Sequence, residues 1–202
     1  MRRLARWTIS VPAVAFRPAV QILALLLCSL FLSLYGSAQQ THPTESQVKA
    51  AYLYNFGKFV RWQGSASHSD SFDICMLGKN PLSSALAATV SGENIDGKNI
   101  VVRNLANLPD AAHCRILFVS SSEESRLKSI FAAARQLNSL TVSDIPGFAE
   151  RGGMIELVSQ EGRIRFEVNV TAVSDAGMTV SSELLKVAVK IIGSKQAREI
   201  GK

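Results

Sequence analysis

The chain has 202 residues, and its 22 Lys and Arg residues against 16 Asp and Glu residues give a formal net charge of +6. Four arginines and no acidic residue precede residue 20; without those four, 18 basic residues remain against 16 acidic ones, a net charge of +2. The remaining basic residues are scattered along the chain, whereas a nucleic-acid-binding protein gathers them on one face. Composition and charge therefore exclude nucleic acid as the expected partner.

The first 38 residues have the layout of a secretory signal peptide. The arginines are followed by an apolar run at residues 20–35 and by the small residues Gly36, Ser37 and Ala38, which match the n-region, h-region and cleavage site of such signals. The run has 16 residues, whereas a bilayer-spanning helix needs about 20. We predict cleavage after Ala38 and export to the periplasm, with an uncleaved membrane anchor as the alternative. Residues 39–202 then form one domain without stable membrane insertion.

The exported chain begins with a predicted helix at residues 44–62. Thr44 and Gln47 have the spacing of a capping box, and apolar residues recur behind them at helical intervals. The helix has an aromatic face that includes Tyr52, Phe56 and Phe59. This face is either part of the core or a surface that binds a partner, and the spacing alone favours the core.

Strand and helix patterns alternate through the rest of the chain. Predicted strands lie at residues 72–77, 98–103, 115–119 and 140–143, and a predicted hairpin lies at 154–158 and 164–168. Predicted helices lie at 81–88, 123–135, 171–176 and 182–192. The predicted fold class is α/β: a single three-layer domain with a mostly parallel central sheet, a C-terminal antiparallel hairpin and flanking helices.

Two cysteines, Cys75 and Cys114, remain after cleavage. An exported protein folds where thiols are oxidised, so a disulfide closing a loop of about 40 residues is expected to stabilise the fold by about 2 to 4 kcal/mol. The alternative is a pair of buried free thiols. The strand alignment allows the pairing if the first and third strands are neighbours.

No catalytic motif stands out. Residues 92–99 match the spacing of a phosphate-binding loop, but Asn99 replaces the required Ser or Thr, and the segment leads into a strand instead of a helix. We interpret it as a turn before a strand. His42, His68 and His113 are far apart and have no metal-ligand spacing. The expectation is a protein that is not an enzyme and that has no cofactor or metal.

Polar or small residues follow three of the predicted parallel strands, where ligands bind in open α/β sheets. They are candidates for a small-molecule site: Gly78, Lys79, Asn80, Ser120, Ser143 and Asp144. Ordinary turns and helix caps select the same residue types, so that interpretation remains open.

Six segments in the same order resemble the YfiR family. They are KAAYLYNFGKFVRW at 49–62, CRILFV at 114–119, TVSDIPGFA at 141–149, GGMI at 152–155, RFEVN at 165–169 and SSELLK at 181–186. The resemblance covers nearly all of the exported chain, from about residue 48 to residue 189.

The resemblance implies a periplasmic protein that binds the periplasmic sensor part of an inner-membrane diguanylate cyclase and represses it, which lowers cyclic di-GMP and biofilm formation. It also implies an α/β homodimer, and it identifies Cys75 and Cys114 as the family's disulfide pair. A second cysteine pair found in some relatives is missing from this chain.

A repressor of this kind needs a large surface more than a reactive group. We expect the surface on exposed parts of the first helix, at Tyr52, Phe56 and Phe59, and on the 147–154 loop, where Phe148 is either exposed or a core residue. The alternative function is a periplasmic small-molecule sensor that acts on another membrane receptor, such as a histidine kinase. An exported enzyme is the third.

Overall fold

A computed structural model describes residues 42–63 and 70–193. The elements below all belong to the compact unit Pro43–Lys202. The predicted signal peptide and its cleavage site lie outside the described residues, as does His68.

Helix α1 spans Glu45–Phe59 and begins with the predicted capping box. The Thr44 hydroxyl oxygen accepts a hydrogen bond from the Gln47 amide at 3.3 Å, and the Gln47 side chain accepts one from the Thr44 amide at 2.7 Å. The helix ends three residues before the prediction, because Val60–Trp62 is a strand, β1. Strand β1 pairs antiparallel with β9, Met178–Val180, and this distant pairing overrides the helical pattern.

The remaining elements follow in chain order. They are β2 Ser71–Leu77, α2 Leu82–Thr89, β3 Asn94–Ile95, β4 Lys98–Leu105, β5 Cys114–Val119, α3 Leu127–Leu137, β6 Leu140–Ser143, β7 Ile155–Gln160, β8 Arg163–Asn169, α4 Val170–Asp175, the strand β9, α5 Ser182–Val187 and β10 Lys190–Ile192. Short 3-10 helices precede β5 and α3, at Leu108–His113 and Ser121–Arg126.

Eight strands form the main sheet, in the order β10-β8-β7-β6-β5-β2-β4-β3. Neighbours run parallel except in the β7–β8 hairpin and in the short β3–β4 hairpin. The predicted sheet, mostly parallel and ending in an antiparallel hairpin, is confirmed.

Helices cover both faces of this sheet, as a three-layer fold requires. Along β2, Ile74 and Met76 belong to the hydrophobic cluster that contains α1 and α2 residues, while Cys75 and Leu77 belong to the cluster that contains α3 residues. Strand β5 alternates in the same way. Because successive strand residues point to opposite faces, a strand buried on both faces reads as one apolar run.

Two further predicted helices differ from the structure. The segment 123–135 begins as a 3-10 turn and becomes α3 only at Leu127. The prediction of a helix through residue 192 is wrong, because α5 ends at Val187 and the chain continues as β10, which pairs parallel with β8.

Candidate functional site

The residues predicted to hold a small molecule do come together, because β2, β5 and β6 are neighbours and end at one edge of the sheet. Their polar groups bond to one another or to nearby backbone groups. The Ser120 hydroxyl donates to the Lys79 carbonyl, and the Ser143 hydroxyl donates to the Val119 carbonyl at 2.7 Å. The Asn80 side chain accepts the Leu82 amide at 2.7 Å.

The rest of this edge is also closed by local contacts. Gly78 has a φ of +89°, and a side chain there would meet Glu123 Cγ at 2.8 Å. Asp144 forms an ion pair with Lys49 of α1 at 2.6 Å. These contacts are the turn and cap chemistry of the alternative interpretation, and ligand binding here stays a prediction.

The four aromatic candidates for partner binding separate into core and surface. Phe56 and Phe148 are fully buried, so neither presents the surface that we expected of them. Phe148 packs edge-on against Phe131, with ring centroids 5.1 Å apart. Tyr52 is half-buried, and its hydroxyl donates to the Ile164 carbonyl at 3.1 Å.

Glu156 explains why the loop carrying Phe148 turns inward. Its buried carboxylate accepts the Gly147 amide at 2.9 Å and the Ala149 amide at 3.1 Å. The Asn169 side chain donates to the Ala149 carbonyl at 2.8 Å. The core alternative for Phe148 is therefore the one that the structure adopts.

Only three large hydrophobic side chains are exposed within 42–63 and 70–193: Phe59 at 37%, Val187 at 60% and Val189 at 44%. They lie near the two ends of α5. The Phe59 carbonyl accepts the Ser181 amide at 2.9 Å just before α5, whereas Val187 is the last residue of α5 and Val189 follows it. We name Phe59, Val187, Val189 and strand β10 the α5–β10 surface.

Strand β10 adds a free backbone edge to this surface. It is the last strand of the sheet and pairs only with β8 among the described residues. An unpaired strand edge is a template for a strand of another chain. Apolar side chains beside such an edge provide the contact area that backbone hydrogen bonds lack.

Ion pairs connect β10 to neighbouring segments. Lys190 lies 2.5 Å from Glu150 and 3.8 Å from Glu167, measured between nitrogen and oxygen. The hydrogen bond from Lys190 lowers the pKa of Glu150 below its usual value. Burial raises the pKa of Glu167, although Lys190 opposes this. The Lys190 ammonium is thus paired with two carboxylates, and one of them, Glu167, belongs to the neighbouring strand β8.

The family comparison identifies the chain. The model of the YfiR/HmsC-like family matches residues 46–189, which includes all of the helices described above except the first residue of α1, and all of the strands except β10. The chain belongs to the YfiR/HmsC-like family. No curated protein sequence gives a significant match.

Solved structures share the fold of this YfiR/HmsC-like chain. A conserved domain protein from Vibrio cholerae O1 biovar El Tor matches with a TM-score of 0.52 and 14% identity, and an ABC domain from Streptococcus pneumonia in complex with L-Trp matches with 0.51 and 10%. Each match covers 73% of this chain and 60% of the other, so the likeness spans less than two thirds of either solved protein. At these identities it shows the fold alone.

The disulfide expected for a member of the YfiR family is present. Cys75 on β2 and Cys114 at the start of β5 are bonded, with a Cα–Cα distance of 5.7 Å and both side chains buried. The condition for this pairing was that β2 and β5 be neighbours, and they are.

Two surface residues, Val187 and Val189, were missed in the YfiR-like sequence because residues 182–192 were interpreted as one helix. The segment Val187-Ala188-Val189-Lys190-Ile191 alternates apolar β-branched residues with others. That period of two predicts a strand.

Of the described helices, none is long and apolar enough to cross a membrane.

The raised pKa of Glu167 predicts a pH dependence. A carboxyl whose pKa is higher in the folded state stabilises the fold below its ordinary pKa of 4.5, and this contribution is lost as the pH rises through the raised pKa. Glu167→Gln removes the ionisable carboxyl and with it this pH-dependent contribution to stability. The stability of the variant relative to the wild type should therefore increase as the pH rises above 4.5. Thermal midpoints of both proteins across that range test this, and a difference independent of pH would contradict it.

Proposed function

We propose that the protein acts in the periplasm, binds the sensor part of an inner-membrane diguanylate cyclase and holds the enzyme inactive. The observation that carries the proposal is the match of the YfiR/HmsC-like family to residues 46–189. Export and cleavage of residues 1–38 are part of the same proposal. The disulfide is consistent with it, because such bonds persist in oxidising compartments.

A repressor acts by binding one conformation of its target more tightly than the other. This requires contact area and not a reactive centre. The α5–β10 surface supplies the apolar side chains Val187 and Val189 next to a strand edge that has no partner in the part of the chain that the structure describes. We assign the cyclase contact to this surface, with a strand or loop of the sensor domain lying along β10.

The direct test is cyclic di-GMP in cells. Three strains are compared: one lacking the gene, one complemented with the full chain, and one complemented with a version lacking residues 1–38. Deletion should raise cyclic di-GMP, and only the version that carries residues 1–38 should lower it again. An unchanged level after deletion contradicts a cyclase target. Equal rescue by both versions contradicts periplasmic action.

A further inference from the structure

A pocket of about 230 Å³ lies at the amino-terminal end of the parallel strands. Phe72, Lys98 and Arg115 line it, and each is the first or second residue of β2, β4 or β5. Strand β1 and the β3–β4 hairpin supply the other walls. The pocket is therefore at the end of the sheet opposite to the carboxyl ends, where the sequence predicted a small-molecule site.

Trp62 forms an aromatic wall of this pocket. Its ring packs edge-on against Phe72, with ring centroids 5.6 Å apart, and the Arg115 guanidinium lies 5.7 Å from the Trp62 ring centroid. Val60 and Ile95, which are both buried, complete the apolar part of the lining. A flat apolar ring suits such walls, because aromatic rings pack against one another and stack on guanidinium groups.

The indole nitrogen of Trp62 is buried and has no hydrogen-bond partner. Buried donors in native proteins are nearly always paired, and an exception calls for an explanation such as strain, a water, an ion or a ligand. The other unpartnered buried side-chain atom within 42–63 and 70–193 is Asn138 Oδ1, which lies at the end of α3 and outside this pocket. A wall of the pocket thus carries an unused donor.

The charged groups around the pocket favour an anion. Among its described lining residues, Arg61, Lys98 and Arg115 are basic and only Asp96 is acidic. Asp96 is exposed in the β3–β4 turn, whereas Lys98 and Arg115 are half-buried. Solvent and salt screen an exposed charge more than a partly buried one. The pocket therefore combines an excess of positive charge with apolar walls.

We propose that this pocket binds a small carboxylate that carries a single aromatic ring. The carboxylate pairs with the Arg115 guanidinium, whose planar fork matches its two oxygens. The ligand ring lies against the apolar walls at Phe72 and Ile95. Because Arg115 lies over the Trp62 ring, the same carboxylate accepts the unused indole N–H as that ring turns towards it.

The size and charge of the pocket narrow the class of ligand. Its volume is about 230 Å³, below the roughly 300 to 1,000 Å³ of pockets that hold drug-sized molecules, so a ligand of one ring is suited to it. A ligand that carries its own ammonium group, such as an aromatic amino acid, would meet the excess of positive charge, and juxtaposed like charges are costly.

The fluorescence of Trp62 reports directly on this pocket. The chain has two tryptophans, Trp7 and Trp62. With the change Trp7→Phe, Trp62 is the only tryptophan whether or not residues 1–38 are removed. The full chain with this change is expressed, purified with its disulfide intact and titrated with sodium phenylacetate. The emission should change saturably with a Kd of about 1 mM or less, which a ligand of about ten non-hydrogen atoms commonly reaches.

Two relatives of phenylacetate test the charge argument. Phenylacetamide has nearly the same shape but no charge, so it loses the charge-assisted bond to Arg115. Phenylalanine adds an ammonium group, which the basic residues repel. Each should bind at least about tenfold more weakly than phenylacetate, as measured by fluorescence and by calorimetry.

Variants of the pocket test the assigned contacts. Arg115→Gln should raise the Kd for phenylacetate about tenfold or more, and Arg115→Lys should have a smaller effect, because lysine keeps the charge but lacks the planar fork. Arg135→Gln makes the same change at an exposed position of α3 and should leave the Kd unchanged. Trp62→Phe, measured by calorimetry, keeps a ring but removes the donor and should also weaken binding. Thermal unfolding checks that each variant folds.

The proposal is wrong if phenylacetate binding is seen neither by fluorescence nor by calorimetry, or if phenylacetamide or phenylalanine binds equally well. It is also wrong if folded Arg115→Gln and Trp62→Phe proteins keep the wild-type Kd. An equal loss in Arg135→Gln would indicate general attraction of anions and would equally overturn it. Because binding is measured on purified protein, failure here is distinct from failure of the cyclase proposal, which is measured in cells.

Discussion

Replacing Cys75 with Ser is expected to lower the free energy of unfolding by about 4 kcal/mol. The bond joins residues 39 positions apart, and closing a loop of that length removes roughly this much chain entropy from the unfolded state. For a domain of this size the thermal midpoint should fall by about 8 to 15 °C. Both sulfurs are buried and join the neighbouring strands β2 and β5. The serine hydroxyl of the variant would therefore be a buried polar group that gives the native fold no compensating stability.

Double-mutant comparison separates the bond from the side chains. Cys75→Ser, Cys114→Ser and the double variant should lose similar stability, because any one change breaks the same bond. Reduction of the wild type should remove most of the difference. Additive losses, or free thiols in the denatured, unreduced wild-type protein, would show that the stabilisation has another source.

The pairing of Cys75 with Cys114 shows how much of the fold could be predicted from the sequence. Apolar runs identified β2 and β5, and the compartment favoured a disulfide, but periodicity within a run does not say which strand lies next to which. Cys114 also lies one residue before the predicted strand. The order of strands in the sheet depends on long-range packing. The sequence analysis could therefore state only that the disulfide requires β2 and β5 to be neighbours.

The hydrophobic periodicity of the sequence could not predict the shortest strands. Strands β1, β3 and β9 have two or three residues each, fewer than the four needed to show a period of two. Strand β3 is one arm of a local hairpin with β4, whereas β1 and β9 exist because each finds its partner far along the chain. Strand β1 pairs with β9 across more than a hundred residues, and a helical pattern in α1 gives no sign of this.

Phe148 failed as a surface candidate for a different physical reason. From the sequence, Phe148 in the 147–154 loop was a candidate for either an exposed residue or a core residue. The buried carboxylate of Glu156, 8 positions further on, instead holds two loop amides and draws the ring into the core. A single acidic residue in a strand pattern reads as a solvent-facing position, so nothing in the sequence marked it as the anchor.

Replacing Val189 with Lys is expected to abolish the proposed repression of the cyclase while the protein still folds. Val189 is 44% exposed, so a lysine there should cost the fold little. At the centre of an interface, however, a buried charge without a partner is unfavourable, and changes at such positions commonly cost more than about 1 kcal/mol of binding energy. Cyclic di-GMP should rise towards the level of the deletion strain.

Ala132→Lys is the matched control, since it adds the same charge at an exposed position of α3, on the helix that covers the other face of the sheet. Equal periplasmic amounts and similar thermal midpoints must first be shown for both variants. If Val189→Lys represses as well as the wild type, the cyclase does not contact β10. If Ala132→Lys is equally defective, positive charge itself impairs repression. Loss of repression in Val189→Lys alone would locate the contact at the edge of the sheet where the exposed valines lie, because the two variants differ only in where the charge is placed.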